Sequence, residues 1–275
     1  MGAMTAWKIT EPERLAMEDE VKQLRVSLVA GRLNVVGADD GPARVEVSAI
    51  GDRHVDVTLA GGVLTVAHEF PKKWNGLLWW LFGARYKANV SIVVPTGTVV
   101  DLTVAAGTVI VSSLRNGATV DVTSGRITLL GIDGAVAGKI ISGSIEALTL
   151  GGEVELETVS GEIVVADSTA RQVYARTISG SVTCDLDNPP ADTDVRLDTV
   201  SGEITVRVRA DSDLRVSVNA VSGHVLNAFS ELDQVGRGTV TGRLGSGTGG
   251  RLTANATSGT ISVLRRPVDD EEADA

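Results

Sequence analysis

The sequence predicts an all-β fold: a parallel β-solenoid, similar to a single-stranded right-handed β-helix, preceded by an N-terminal β-rich capping region. Three observations favour this class. Aromatic residues make up only 3% of the 275 residues, whereas glycine occurs 31 times, so the core has to come from aliphatic side chains in short strands separated by turns. A Ser-Gly-x-Ile/Val motif recurs at nearly constant spacing, and apolar and polar residues alternate around it.

The glycine of this motif defines the repeat. Successive copies lie 18 residues apart three times and then 19, 22, 21, 19 and 17 residues apart, and glycine supplies the positive φ that a tight corner requires. We therefore predict a β-solenoid of about nine repeats of 17–22 residues between residues 105 and 266. The predicted corners are Gly107, Gly125, Gly143, Gly161, Gly180, Gly202, Gly223, Gly242 and Gly259.

One repeat is too small to fold alone. Its three or four branched side chains stabilise it by roughly 1.5 to 3 kcal/mol each when buried, whereas ordering about 18 residues costs roughly 27 kcal/mol. Stacking resolves this imbalance, because each strand then pairs with equivalents above and below it. An antiparallel sandwich is the alternative, since its turns also recur about every 8 to 12 residues. Near-identical motifs at near-identical spacing favour the solenoid.

Residues 1–104 differ from the repeats and predict an N-terminal β capping region. Alternating runs such as Ala43 to Ile50 and Val55 to Leu59 indicate a meander, which would cover the apolar columns and strand edges at one solenoid end. At the other end, we expect Arg265, Arg266 and Pro267 to block further strand addition. Residues 267–275 are predicted to form an acidic disordered tail.

Charge and hydropathy narrow the function classes. The net charge is −10, and half of it comes from five acids in the tail; without a basic surface we expect no nucleic-acid binding. The N-terminus lacks a charged region followed by an apolar stretch, and the chain has no run of 18 apolar residues. We therefore expect a cytoplasmic protein that can associate peripherally with a membrane. Cys184 lies in a strand-like run and is expected in the core.

Residues 70–87, the Trp-rich segment, break the repeat pattern. They hold six of the nine aromatic residues of the chain, and burying one tryptophan stabilises by roughly 4 to 6 kcal/mol, so we do not expect these side chains to stay in water. We expect a lid over the solenoid end or the N-terminal sheet, a self-association surface, or a loop that binds an anionic membrane or an unknown protein partner. The candidate binding residues are Lys72, Lys73, Trp74, Leu78, Trp79, Trp80, Phe82 and Arg85.

Other motifs do not predict chemistry. The acids between Asp185 and Asp194 lack the spacing of a calcium loop, and the glycine run 245–250 lacks the strand-to-helix context of a nucleotide-binding loop. The corner serine recurs in too many equivalent copies to be a catalytic nucleophile. We predict no catalytic residue, no metal site and no cofactor. The histidines, expected as isolated surface residues, are His54, His68 and His224.

Two stretches resemble a known family. The run from Val93 to Leu102, followed by the reiterated Thr-x-Ser-Gly-x-Ile motif, and the run from Val29 to Gly37 resemble the bacterial DUF4097 family of β-strand repeat proteins in its actinobacterial type. Its members are often labelled adhesins. The resemblance spans nearly the whole chain and implies a β-helix-like fold with envelope-stress or surface functions. It supplies no catalytic residues.

The predicted function is therefore non-enzymatic. The first hypothesis is a binding or scaffold protein that associates with a membrane surface or an envelope-stress partner through the Trp-rich segment. One alternative is a polysaccharide-binding or adhesin-like β-helix, which the scarcity of aromatic residues in the repeats disfavours. The other is a self-assembling scaffold, which the predicted caps at both ends disfavour; the oligomeric state stays open.

Overall fold

The structure, a computed structural model, describes residues 4–68, 86–186 and 192–266. The described residues are mostly β-strand, and the chain forms two compact units, Met1–Ile141 and Ser142–Ala275. Within each unit, long bent strands pair in parallel and in register. The predicted all-β solenoid is thereby confirmed, although the division between the units lies well beyond the expected boundary after residue 104.

The first unit combines full solenoid rungs with shorter antiparallel strands. β3 pairs in parallel with β8, and β8 with β9, so these three strands are consecutive rungs. β1, β2, β4 and β5 pair antiparallel with their neighbours. The described strands are β1 Thr5–Ile9, β2 Glu13–Ala16, β3 Gln23–Ala38, β4 Arg44–Ile50, β5 Val55–Ala60, β6 Val63–His68, β7 Lys87–Pro95, β8 Val99–Leu114 and β9 Ala118–Ile132.

The N-terminal region is more than a cap, because β3 is itself a rung. Gly31 of β3 lies opposite Gly107 of β8, so the column of corner glycines begins inside residues 1–104. The sequence signal was present in the run from Val29 to Leu33, which has a glycine at the corner position but alanine in place of serine before it. The predicted meander is wrong: among the described strands of residues 1–104, only β5 and β6 pair as consecutive antiparallel strands, whereas β4 pairs with β2 and β7.

The second unit consists of stacked rungs closed by a small hairpin. β11, β12 and β13 pair in parallel in chain order, and β15 and β16 form an antiparallel hairpin whose second strand pairs with β14. β10, Val136–Leu150, spans the division between the two units. The described strands are β10 Val136–Leu150, β11 Glu153–Ala166, β12 Gln172–Leu186, β13 Thr193–Arg209, β14 Leu214–Asn227, β15 Leu232–Val235, β16 Thr239–Leu244 and β17 Gly250–Arg266.

The last strand does not lie at the end of the stack. β17 pairs in parallel with β13 on one side and with β14 on the other, so the chain leaves a gap after β13 that its final strand fills. The expectation that Arg265 and Arg266 block strand addition at the end is therefore wrong. Both belong to an internal strand, and the hairpin β15–β16 covers the first half of β14 instead.

The corner glycines have a common steric cause. Gly180 has φ +140°, and a Cβ built on it would overlap the carbonyl oxygen of Gly161 in the preceding rung. The same overlap recurs up the column, where Gly259 stacks on Gly202 and Gly223 on Gly259. Only glycine allows this close approach of two backbones.

The prediction for Gly242 is wrong. Gly242 lies in β16, which is antiparallel to β14, and it is opposite Val216 rather than a corner glycine. Thr241, Arg243 and Leu244 imitate the corner motif in sequence only. The core itself follows the predicted alternation, with inward columns such as Val165, Cys184, Val206 and Val263 that are in register and fully buried.

Candidate binding site at a rung corner

The Trp-rich segment is inserted at the corner of a solenoid rung. β6 pairs in parallel with the first half of β3, ending with Ala67 opposite Ser27, and β7 pairs with the second half, beginning with Lys87 opposite Ala30. β6 and β7 are thus the two halves of one rung. The chain between His68 and Tyr86 is inserted immediately before the corner, where Lys87 and Ala88 lie opposite Ala30 and Gly31.

The predicted binding residues belong to this inserted stretch. The structure does not describe residues 69–85, so the eight candidates from Lys72 to Arg85 lie outside the described residues. What the structure describes is the base of the insertion, on both sides. We therefore take the described residues around His68 and Tyr86 as the candidate site.

His68 is buried at this base. Its side chain is only 2% exposed, and its Nδ1 accepts a hydrogen bond from the backbone N–H of Val29 at 3.2 Å. Because Nδ1 accepts, the proton of the neutral ring is on Nε2, which has no hydrogen-bond partner among the described residues. Burial, reinforced by the charge of His54 and opposed by that of Asp56, lowers the pKa of His68 to about 4.

Tyr86 packs on His68 from the other side of the insertion. The two ring centroids are 5.7 Å apart at an interplanar angle of 82°, an edge-to-face arrangement that aromatic pairs prefer. The Cζ atom of Arg53 lies 5.6 Å from the centroid of the Tyr86 ring, within range of a cation–π contact. The last described residue before the insertion, His68, and the first one after it, Tyr86, are therefore both buried and in contact with each other.

The expectation of isolated surface histidines is wrong for two of the three. His68 is buried, and His54 is mostly buried with its Nε2 3.4 Å from Asp56 Oδ2. Both lie at the base of the insertion because β5 and β6 are antiparallel, with Val55 opposite His68. His224 is exposed, as predicted.

The remaining motifs have structural roles. Asp185 is paired with Arg266 at 3.1 Å and with Arg207 at 3.6 Å. The glycine run 245–250 connects β16 to β17, as expected for a turn, and Asp213 accepts a hydrogen bond from Ser246 Oγ at 2.7 Å. This bond and others from the same turn hold the pKa of Asp213 below its ordinary value.

Cys184 is a free thiol in the core, as predicted. Burial, with a smaller effect of Asp185, raises the pKa of this thiol to about 12, so it stays protonated and unreactive at neutral pH. No group of three or more His, Cys, Asp or Glu residues in the described parts of the chain is arranged to hold a metal ion. Nor do those parts include a helix long and apolar enough to cross a membrane.

The second unit carries a surface that the sequence reasoning missed. Four aliphatic side chains point outward two residues before the corner glycines, and each is between 42% and 75% exposed. The signal was visible in the repeat, since Val or Ile precedes Ser-Gly in consecutive copies, but alternation alone assigns no residue at a corner to either face. The four are Val159, Ile178, Val200 and Val221.

Three solved structures of bacterial proteins match the chain along most of its length. A putative adhesin from Bacteroides fragilis is 11% identical, with 96% of this chain and 98% of that chain covered and a TM-score of 0.45. A putative cell adhesion protein from Clostridium sporogenes is 12% identical over 93% and 100% of the two chains, with a TM-score of 0.33. A putative lipid binding protein from Parabacteroides distasonis is 12% identical over 92% and 97%, with a TM-score of 0.34.

The family assignment depends on the sequence match. No curated protein matches the chain. The family model described as Toastrack DUF4097 matches residues 37–264, a range that begins at the end of β3 and includes nearly all of β17. The actinobacterial type stays a prediction. Since the match covers most of the sequence and the strands form the parallel stack that its motifs predicted, the chain belongs to the Toastrack DUF4097 family.

Proposed function

We propose that this protein is a non-enzymatic binding module that associates peripherally with a membrane surface through the Trp-rich segment. The observation that carries the proposal is the register of β6 and β7 on β3. Because both ends of the insertion continue directly into paired strands of one rung, the segment is attached to the solenoid on both sides and not through a flexible linker. The solenoid serves as a rigid scaffold for one recognition element.

The composition of the segment supports a membrane surface as the partner. Trp79 and Trp80 lie between Leu78 and Phe82, and Lys72 and Lys73 precede them. Tryptophan is enriched at the membrane–water interface, where its ring is apolar and its N–H is solvated, and flanking cations are attracted to anionic headgroups. Burial of the two tryptophan rings in the interface would stabilise the complex by several kcal/mol, on the order of 25 cal/mol for each Å² of apolar area.

The proposal is tested by co-sedimentation with vesicles. The variant Trp79→Ser, Trp80→Ser is expected to lose binding to vesicles that contain phosphatidylserine, because the apolar contribution to binding is removed. The matched control is Val159→Ser, Val200→Ser, which removes two exposed aliphatic side chains from the second unit and is expected to bind like the parent. Equal binding by the parent and the tryptophan variant, or no binding by the parent, would contradict the proposal.

A further inference from the structure

A small group of cations surrounds the base of the insertion. Lys87 follows Tyr86 directly, Arg53 stacks on the Tyr86 ring, and Arg32 lies on β3, two residues beyond the partner of Lys87. All three cations are exposed. We name Arg32, Arg53 and Lys87 the corner cations.

Arg32 and Lys87 flank one corner of the solenoid. Lys87 is opposite Ala30 and Arg32 is opposite Asn89, so the two cations lie on either side of the corner glycine Gly31, on neighbouring strands. With strands about 4.8 Å apart and a rise of at most about 3.3 Å per residue, their Cα atoms are no more than roughly 8 Å apart. Long side chains at this separation can contact one anionic surface together.

The strand neighbours of Arg32 do not neutralise it. Its partners in the sheet are Asn89 on one side and Thr108 on the other, both uncharged. The nearby carboxylate of Asp56 is 3.4 Å from His54, and that of Glu46 is 3.5 Å from Arg14. The carboxylate of Asp52 follows Gly51, whose N–H donates to the carbonyl of Lys87 at 2.7 Å. Arg32 is therefore the corner cation with the clearest lack of an acidic neighbour in its own strand and in the two strands paired with it.

Two other exposed cations of the same unit provide a contrast. Lys8 of β1 lies opposite Asp56 of β5, and Arg25 of β3 lies opposite Asp101 of β8. Each of these exposed cations therefore has a carboxylate as its direct cross-strand neighbour, which offsets its attraction for an external anion. In a chain with a net charge of −10, Arg32 and Lys87 differ from Lys8 and Arg25 because their direct cross-strand neighbours are uncharged.

We infer that the corner cations bind the phosphate groups of anionic lipids and so determine which membrane surface the Trp-rich segment enters. This inference rests on the proposed function and adds three described residues to it. Apolar insertion alone does not distinguish zwitterionic from anionic vesicles, whereas cations near the surface favour the anionic ones. The partner is thus an anionic lipid surface, and the corner cations are the residues that select it.

The test compares two double variants that remove the same charge from the same unit. Arg32→Ser, Lys87→Ser is expected to weaken binding to phosphatidylserine-containing vesicles about thirtyfold, the effect of removing two cations near an anionic surface. Its binding to pure phosphatidylcholine vesicles should stay at the level of the parent. The control, Lys8→Ser, Arg25→Ser, is expected to weaken binding less than about threefold, because those cations face carboxylates.

A charge-preserving swap separates charge from packing. Arg32→Lys, Lys87→Arg keeps both charges and is expected to bind like the parent, and thermal unfolding checks that every variant is folded. The inference is overturned if the swap loses binding, if both serine variants lose the same affinity, or if Arg32→Ser, Lys87→Ser binds normally. The last result leaves the proposed function standing when Trp79→Ser, Trp80→Ser still fails to bind; a parent that binds no vesicle overturns both.

Discussion

The corners of the two units share the same close backbone stacking and differ in the side chains that flank it. In both units a corner glycine stacks on the carbonyl of the glycine before it. The residue after that glycine is arginine in two rungs of the first unit, Arg32 and Arg126, and glutamate in two rungs of the second, Glu162 and Glu203. The two units also differ in the buried side chain that lies three residues before the corner glycine. The first unit has Leu28, Val104 and Val122 there. In the second unit three rungs have Thr158, Thr177 and Thr199, and two have Ala220 and Ala256.

This difference separates what the fold requires from what it leaves free. The stacking of glycine on glycine is required, because no side chain fits between the rungs. The flanking positions accept arginine or glutamate outside and valine or threonine inside without a change of register. A family with this fold can therefore place different binding surfaces on the same corner, so the fold alone does not identify the function.

The largest expected effect tests the shared backbone. Gly107→Ala in the first unit and Gly180→Ala in the second should each destabilise the protein by at least about 4 kcal/mol, because the new Cβ overlaps a backbone carbonyl that cannot move without breaking the rung below. The measurement is the free energy of unfolding in urea.

A second glycine supplies the control for these variants. Gly61 has φ +58°, and a Cβ built on it meets nothing within 4 Å, so Gly61→Ala should cost only the intrinsic strain of about 1 to 2 kcal/mol. If Gly107→Ala and Gly180→Ala cost no more than Gly61→Ala, then the two units do not share a sterically closed corner.

The next prediction concerns the pH dependence of stability at the base of the insertion, where His68 is buried. His68 is held neutral with a pKa of about 4, below the 6.5 of an unfolded histidine. Between these values the unfolded chain binds a proton that the folded chain does not, so stability falls as the pH decreases from 6.5 towards 4. The loss attributable to His68 should approach about 3 kcal/mol at pH 4. His68→Phe should flatten this part of the pH profile, which urea unfolding at several pH values would measure.

The exposed His224 provides the comparison for His68. His224→Phe makes the same substitution at an exposed position of the second unit and shows whether a change of histidine to phenylalanine alters the pH profile in general. An identical slope in the parent and in His68→Phe would show that the base of the insertion is not a buried, uncharged site.

The sequence predicted the repeated features and missed the ones that interrupt or reorder them. Most corner glycines were predictable because they share a positive φ and recur in one sequence motif. The position of β17 was not, because Ala220 of β14 and Ala256 of β17 precede nearly identical Ser-Gly corners, and such rungs can stack in either order. The composite rung was hidden because residues 69–85 interrupt its period, although Leu64 to His68 and Ala88 to Ile92 alternate like the two halves of a repeat.

The smallest effect tests the inner column. The Oγ1 atom of Thr177 is buried without a hydrogen-bond partner among the described residues, and such a group costs free energy relative to an apolar one of the same shape. Thr177→Val should therefore stabilise the protein by about 1 kcal/mol. The reverse change in the first unit, Val122→Thr, should destabilise it by a similar amount, because it buries a hydroxyl at a position now filled by a methyl group.

The free energy of unfolding in urea is measured for both variants, because each substitution is the control for the other. Opposite signs would mean that the inner column prefers apolar side chains in both units and that the threonines of the second unit are a tolerated cost. If Thr177→Val instead destabilised the protein, the threonine hydroxyls would have partners within the rung corner, such as ordered water. The inner columns of the two units would then be held by different interactions although their backbones follow the same path.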